Sequence, residues 1–213
     1  MGKKNVVMVV KPSFRFETRV NGQVILHQIE RYARTCYKSE KRMGRGYSPE
    51  FVRSLIASGH ESVIEHVVVT VRIICDRGVS HEWVRHRLAS YSQESTRYCN
   101  YGKASKVRMI QPFFFLDEKD KKKYQTWLEA MEFAAQAYLK LLELGASPQE
   151  ARSVLPNSLK TEFVVTFNLR EWRHFFRLRC SPRAHPQMRE IAIPLLKEFQ
   201  RRIPIIFDDI ASE

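Results

Sequence analysis

Between Arg85 and Tyr98 the chain reads RHRLASYSQESTRY, fourteen residues that hold three arginines, a histidine, three serines, a threonine, two tyrosines, a glutamine and a glutamate. Such a run has almost no apolar filler and is poorly suited to a core. Its donors suit a phosphate, because arginine offers a planar fork of N–H groups while serine hydroxyls and backbone amides add short-range contacts. The alternative is a solvated basic helix and loop. Gln93, Ser95 and Arg97 alternate, so in extended structure they would point the same way and line one wall of a pocket. A second basic group lies in NLREWRHFFRLR, Asn168 to Arg179, where Arg170, Arg173 and Arg177 share a helix face. Like charges on one stripe repel by a few tenths of a kcal/mol per close pair, which calls for a phosphate or a neighbouring acidic surface. For Arg173 and Arg177 a solvent-facing basic face is the alternative. Arg179, between Leu178 and Cys180 at the helix end, reads as more enclosed and better suited to a specific contact.

Two stretches resemble the zinc-protease helix H-E-x-x-H, but His60 and His66 are six residues apart, and His81 and His86 are five apart. On a helix these spacings separate the side chains by roughly 120° and 140°, too far to share one metal from one face. No metal is expected. The four cysteines, Cys36, Cys75, Cys99 and Cys180, form no C-x-x-C pair and read as free, mostly buried thiols in a reducing compartment.

The elements that must position these groups follow from periodicity and punctuation. Asn5 to Val10 reads as a buried strand, and Val24 to Tyr37 has helical spacing. Ser48-Pro49-Glu50 opens a helix that stops at Gly59. His66 to Cys75 is β-branched and reads as a strand. A short helix is predicted over Val79 to Ser90, and the segment closing at Pro112 to Phe115 reads as irregular. The longest helix candidate is Asp117 to Leu144, with Trp127, Leu128, Met131, Ala134, Ala135, Tyr138, Leu141 and Leu142 on its apolar face and a Lys-rich, solvated opening at 119–123. Ser147 to Glu150 is a capping box ahead of Ala151 and Arg152. Thr161 to Phe167 reads as a strand, Asn168 and Glu171 as an N-cap pattern for the next helix, and Gln187 to Arg202 as a helix with a kink at Pro194.

With 36 Lys and Arg against 23 Asp and Glu, the formal charge is +13, and 44% of the residues are hydrophobic. This is a globular balance with an excess that asks for an anionic partner. No repeat, linker or low-complexity tract divides the chain, so residues 1–213 are expected to form a single α+β domain with a mainly antiparallel sheet flanked by helices. No apolar run reaches the roughly 18 residues of a membrane span, and the opening lacks a secretory pattern, so the expected compartment is the cytoplasm.

Arg85-His86-Arg87, seven residues and then Ser95, with Arg97 two further on, resembles the R-H-R-x7-S signature of the flavin-dependent thymidylate synthases. Upstream, Gly59-His60-Glu61-Ser62 with Glu65-His66 is similar to that family's G-H-x-S/T-x-x-E-H element. Downstream, Arg152 with Leu155-Pro156, then Asn168, Arg170 and Leu178-Arg179, fall at the family's spacings. The resemblance implies reductive methylation of dUMP to dTMP with FAD, NADPH and methylenetetrahydrofolate, in a homotetramer whose active sites draw on several subunits. It implies dUMP contacts from Glu82, Arg85, Gln93, Glu94, Ser95, Arg97, Arg152 and Arg179. Flavin contacts are implied for Ser62, Arg85, His86, Arg87, Gln93, Asn168, Arg170 and His174. Arg179 would lie against the uracil ring and, with His60 near the flavin and folate, make up the catalytic pair. No enzyme nucleophile is implied, which suits the scattered cysteines, and Ser95 is read as a ligand-binding group.

The chain departs from the family pattern in three places. Ser92 and Gln93 stand where Asn and Glu are frequent, with Glu94 one place later, so either Gln93 or Glu94 takes the ligand-contacting role. Gln is common at the position of Glu82, and Asn at that of His174. The rival function is a basic nucleic-acid-binding protein that turns the same arginines on phosphate backbones, with Tyr91, Tyr98 and Tyr101 as stacking rings. That rival accounts for the charge but not for the ordered motifs, and neither nucleic acid nor membrane is expected as a partner.

Overall fold

The computed structural model describes residues 5–104 and 106–211. Strand β1 (Val7–Val10) runs parallel to β5 (Val107–Ile110), with Val7 opposite Val107 and Val10 opposite Ile110. A four-stranded sheet has the order β2 (Ser13–Phe16), β3 (Val68–Asp76), β6 (Lys160–Asn168), β4 (Ala89–Gln93). Burial alternates along β3 and β6, as it does in strands covered on one face. Their pairing is antiparallel. The Leu169 N–H donates to the Val67 carbonyl at 2.9 Å, the Thr70 and Thr166 hydroxyls meet at 2.9 Å, and the Arg77 N–H donates to the Leu159 carbonyl at 3.2 Å. Residue numbers therefore fall along one strand as they rise along the other, and the mixture of helices with this sheet is α+β.

The helices begin where side chains satisfy the first free N–H groups. Asn21 caps α1 (Gly22–Cys36), Ser48 caps α2 (Pro49–Ala57), Asp76 caps α3 (Arg77–Trp83) and Asn168 caps α6 (Leu169–Arg179). The capping box is present at α5 (Pro148–Ala151). The longest helix, α4 (Lys121–Glu143), buries Met131, Ala135 and Tyr138 and half-buries the rest of its predicted apolar face, while Lys119, Lys121, Lys122 and Lys123 stay exposed. Helix α7 (Pro186–Arg202) continues through Pro194. No helix among the described residues is long and apolar enough to cross a membrane.

The chain forms two compact units. One comprises Met1–Ser13, Ile73–Arg85 and Ser92–Phe163, the other Phe14–Arg72, His86–Tyr91 and Val164–Glu213. The first has a core of Val7, Val107, Met109, Met131, Ala135, Tyr138, Ala151 and Leu159. The second is held by interlocking rings. Trp172 stacks on Phe176 at 5.5 Å, Phe199 meets Trp172 at 4.8 Å and Phe16 at 5.2 Å, and the Trp172 indole N–H donates to the Val69 carbonyl at 3.1 Å.

The helix expected over Val79 to Ser90 is shorter and starts earlier. Asp76 accepts the Val79 N–H at 2.7 Å and so sets the start at Arg77, and the helix ends at Trp83. Ala89 to Gln93 becomes an edge strand, because β6 offers it a backbone ladder that continues to Glu94 N–H and the Glu162 carbonyl at 2.8 Å. β5 lies inside the stretch expected to be irregular, and β2 is an element the periodicity did not mark. At four residues each, both are too short to show a period.

Candidate active site

In the first unit, the candidate nucleotide contacts gather around one turn. β4 ends at Gln93, and the chain bends at Thr96 to Tyr98. Thr96 is buried, and its hydroxyl accepts a hydrogen bond from Arg152 Nη1 at 3.2 Å. Ser95 and Arg97 flank Thr96, and Ser95 Oγ accepts the Arg97 N–H at 3.3 Å. Ser95 and Arg97 thus belong to the turn that Arg152 reaches through Thr96, and the Arg97 guanidinium lies over the Tyr98 ring, 5.4 Å from its centroid. The Arg97 and Arg152 side chains remain exposed, open to an incoming anion. Gln93 does not share a wall with Ser95 and Arg97 as an extended chain would require. Its amide nitrogen donates to Ser80 Oγ at 3.0 Å and Thr161 Oγ1 at 3.1 Å. Glu94 is gripped by Lys160 at 2.8 Å. Glu82 is half-buried on α3, and Arg85 is exposed just past its end.

In the second unit, α6 carries Arg170, His174 and Arg179 of the other candidates, with Asn168 as its cap. A cleft of about 490 Å³ is lined by Asn168 at the end of β6 and Arg170, Glu171, His174 and Arg177 of α6, together with Glu61, Glu65 and Leu88. Arg170 reaches Glu65 at 2.6 Å and Glu61 at 3.7 Å, and Arg177 reaches Glu61 at 3.3 Å. The basic stripe therefore has the acidic neighbours that its charge demanded. Arg173 departs from a solvent-facing reading. Its side chain is 1% exposed, with its Nε on Glu61 at 2.9 Å and its guanidinium spanning Asp209 at 2.6 and 2.7 Å while also meeting the Ile206 carbonyl. Ser62, Arg87, His174 and His60 are exposed, with His60 at the head of the turn Glu61–Ile64.

His86 is the buried centre of this second group. Its Nδ1 lies 3.1 Å from Glu171 Oε1, and its Nε2 accepts the Arg179 Nε–H at 3.1 Å. Arginine cannot accept, so Nε2 keeps its lone pair and the ring proton sits on Nδ1. Burial, followed by the charge of Arg179 and then that of His174, holds the His86 pKa down from 6.5 to about 4. The contact with Glu171 is thus a hydrogen bond from a neutral ring rather than an ion pair, while burial raises the Glu171 carboxyl pKa above its usual value. Tyr91 completes the setting. Its hydroxyl donates to the His86 carbonyl at 3.1 Å, and burial pushes its phenol pKa up, so it remains a donor. His86, Glu171 and His174 have potential metal-ligand atoms within 4.8 Å of one another, but both His86 nitrogens are already engaged by neighbours.

The family model described as thymidylate synthase complementing protein matches residues 25–205 of this chain. The chain belongs to that family. Among its relatives is the flavin-dependent thymidylate synthase of Geobacter sulfurreducens, 36% identical over 184 residues, with 83% of this chain and 78% of that protein covered. The protein of the same description from Pyrococcus abyssi is 38% identical over 152 residues, 70% of this chain and 61% of its own length. That of a Mycobacterium species is 33% identical over 222 residues, 94% of this chain and 85% of its own. The fold is that of a UMP/dUMP methylase PolB from Streptomyces cacaoi solved with 5-Br dUMP, at a TM-score of 0.80 and 20% identity over 94% of this chain and 95% of that one.

Within the thymidylate synthase complementing protein fold, the signature Arg85 to Ser95 begins just past the end of α3 and contains all of β4, and its residues divide between the two units. Two side chains that organise the candidates were not singled out from the sequence. Thr96 directly follows the signature, but nothing in its type announces that Arg152, 56 residues away, will reach it. Glu171 was accounted for as an N-cap partner. Asn168 Oδ1 does accept the Glu171 N–H at 2.8 Å, yet the Glu171 carboxylate goes to His86.

Proposed function

We propose that the protein is a flavin-dependent thymidylate synthase that converts dUMP to dTMP in the cytoplasm, as a homotetramer built from one synthase domain per chain. The reaction replaces the C5 hydrogen of dUMP by methyl. Methylenetetrahydrofolate supplies the one-carbon unit, and hydride from NADPH with one proton from solvent balances the formation of dTMP, tetrahydrofolate and NADP⁺. The observation that supports this reading is the turn at Thr96, which carries Ser95 and Arg97 and which Arg152 reaches from elsewhere in the chain, in a chain whose relatives are described as flavin-dependent thymidylate synthases. A nucleotide monophosphate asks for donors of this kind, with Glu82, Arg85, Gln93 and Glu94 as further contacts.

The residues of the second unit fit a flavin dinucleotide. The cleft is within the size range of ligand pockets, its lip offers the guanidinium of Arg170, the amide of Asn168 and the ring of His174, and exposed Leu88 adds apolar surface. A pyrophosphate would compete with Glu65 and Glu61 for Arg170, with Arg87 as a further cation and Ser62 and His86 as neighbours. When bound, FAD supplies hydride carriage from NADPH. Arg179 presents a fixed positive charge that favours loss of the uracil N3 proton and negative charge developing on the ring, an electrostatic role. His60 attends the flavin and folate. No cysteine nucleophile is needed, and burial raises the thiol pKa of Cys75 well above its usual value and that of Cys180 to about 12, keeping both as thiols.

Assembly is supported by exposed apolar side chains. Phe133 on α4 is 75% exposed, and Leu144 just past the helix is also exposed. The nucleic-acid alternative has lost two of its three rings to intrachain contacts, since Tyr91 lies 6.1 Å from Phe167 and Tyr101 5.9 Å from Tyr138. The decisive test is purification followed by Arg179→Ala. Wild-type protein is expected to be yellow, or to take up added FAD, and to oxidise reduced flavin in a dUMP-dependent manner. The variant should keep the flavin and lose that oxidation. A colourless protein that binds no FAD rejects the enzyme, and full activity in the variant rejects the role given to Arg179.

A further inference from the structure

We propose that Glu171 is a positioning residue for this reaction: by holding the ring proton of His86 on Nδ1, it keeps Nε2 free to accept from Arg179 and so aims the guanidinium. The inference rests on the reading of Arg179 as the group that faces the substrate ring.

The geometry follows from helical spacing. Glu171, Phe175 and Arg179 stand four residues apart on α6 and form one stripe. The His86 ring lies edge-on to Phe175, with centroids 5.0 Å apart. Its two nitrogens face opposite ways along that stripe, Nδ1 towards Glu171 and Nε2 towards Arg179, each at 3.1 Å. His86 is 5% exposed and Glu171 7%, so water has poor access to stand in for either partner. If the proton moved to Nε2, two donors would face each other at Arg179, and the guanidinium would have to swing away. An acceptor at the far nitrogen prevents this, as the hydrogen bond made by one ring nitrogen sets the state of the other. Nothing in the arrangement requires a full negative charge at residue 171. It requires an oxygen lone pair at the right reach.

That distinction supplies the test. Glu171→Gln keeps an acceptor oxygen at the same reach, and Glu171→Leu removes it. Reduced holoenzyme is mixed with dUMP and methylenetetrahydrofolate, and flavin reoxidation is followed in a single turnover, with flavin content and dUMP affinity measured alongside. Glu171→Leu should slow reoxidation at least about tenfold while dUMP affinity changes less than about threefold, and Glu171→Gln should stay within about threefold of wild type. A Glu171→Leu protein that keeps its flavin and the wild-type rate overturns the proposal, as does a Glu171→Gln protein as slow as Glu171→Leu. Should Glu171→Leu fail to fold, ¹⁵N spectra of histidine-labelled wild-type protein decide, with His86 assigned by its loss in His86→Gln. A protonated Nδ1 and a lone-pair Nε2 at neutral pH are expected, and the opposite tautomer or an imidazolium overturns the proposal. A wild-type protein with no dUMP-dependent turnover removes the functional reading itself, and this role with it, whatever tautomer the spectra report.

Discussion

The Thr96 hydroxyl ties Arg152 to the turn that carries Ser95 and Arg97. Replacing Thr96 with valine keeps the volume and deletes the acceptor for Arg152. Loss of one such hydrogen bond costs about 0.5–1.5 kcal/mol. Thr96→Val should therefore raise the KM for dUMP about two- to tenfold with kcat and flavin content little changed, as steady-state kinetics would report. His86 makes a pH prediction. Its native pKa of about 4 lies below the 6.5 of an unfolded histidine, so the unfolded state binds more protons between these values. The stability His86 contributes is complete above about pH 6.5 and is lost as pH falls towards 4. Glu171, with its raised pKa, works in the opposite sense. Urea titrations at several pH values should show a shallower acid loss in His86→Gln than in wild type, and identical slopes would refute the assignment. At this scale, the polar character of Arg85 to Arg97 and the partial enclosure of Arg179 were legible in the sequence. The partners of Thr96 and Glu171 were not, since only the fold supplies them.

Helix ends were the legible part of the elements. Ser48, Ser147 and Asn168 all cap where their spacing implied, because capping is local chemistry that short-range sequence records. The edge strand β4 depended instead on the ladder offered by β6, which no local window contains. Arg173 shows the same limit. A cation three residues from Arg170 reads as surface until Glu61 and Asp209 close around it. One glycine joins two elements directly. Gly22 opens α1 where a side-chain carbon would collide with the backbone carbonyl of Arg202, at the end of α7. Backbone cannot yield as a flexible side chain would. Gly22→Ala should therefore destabilise the protein by about 1–3 kcal/mol, read as a lower urea midpoint with an unchanged slope, and a wild-type midpoint would show that the two helix ends can part.

At the scale of the whole molecule, the charge of +13 now has local addresses, with Arg170, Arg173 and Arg177 answered by Glu61, Glu65 and Asp209, and Lys160 by Glu94 and Glu162. What stays open to anions includes Arg85, Arg87, Arg97 and Arg152. The proposed tetramer makes a prediction here too. Phe133→Glu puts a charge on exposed α4 surface, where it does not disturb the core of its own chain. It should reduce the assembly to smaller species in light scattering while leaving the circular dichroism unchanged, and an intact tetramer would exclude this face from the contact. The segments of each unit are scattered along the sequence, which has a consequence for synthesis on the ribosome. Phe16 finds Phe199, and β3 finds β6, only after most of the chain has been made. The N-terminal third must therefore wait with its apolar face uncovered, and pairings of such long sequence separation form slowly. A newly made chain is thus exposed to aggregation until α7 emerges, and its yield on expression should depend on temperature and chaperone supply more than its final stability would suggest.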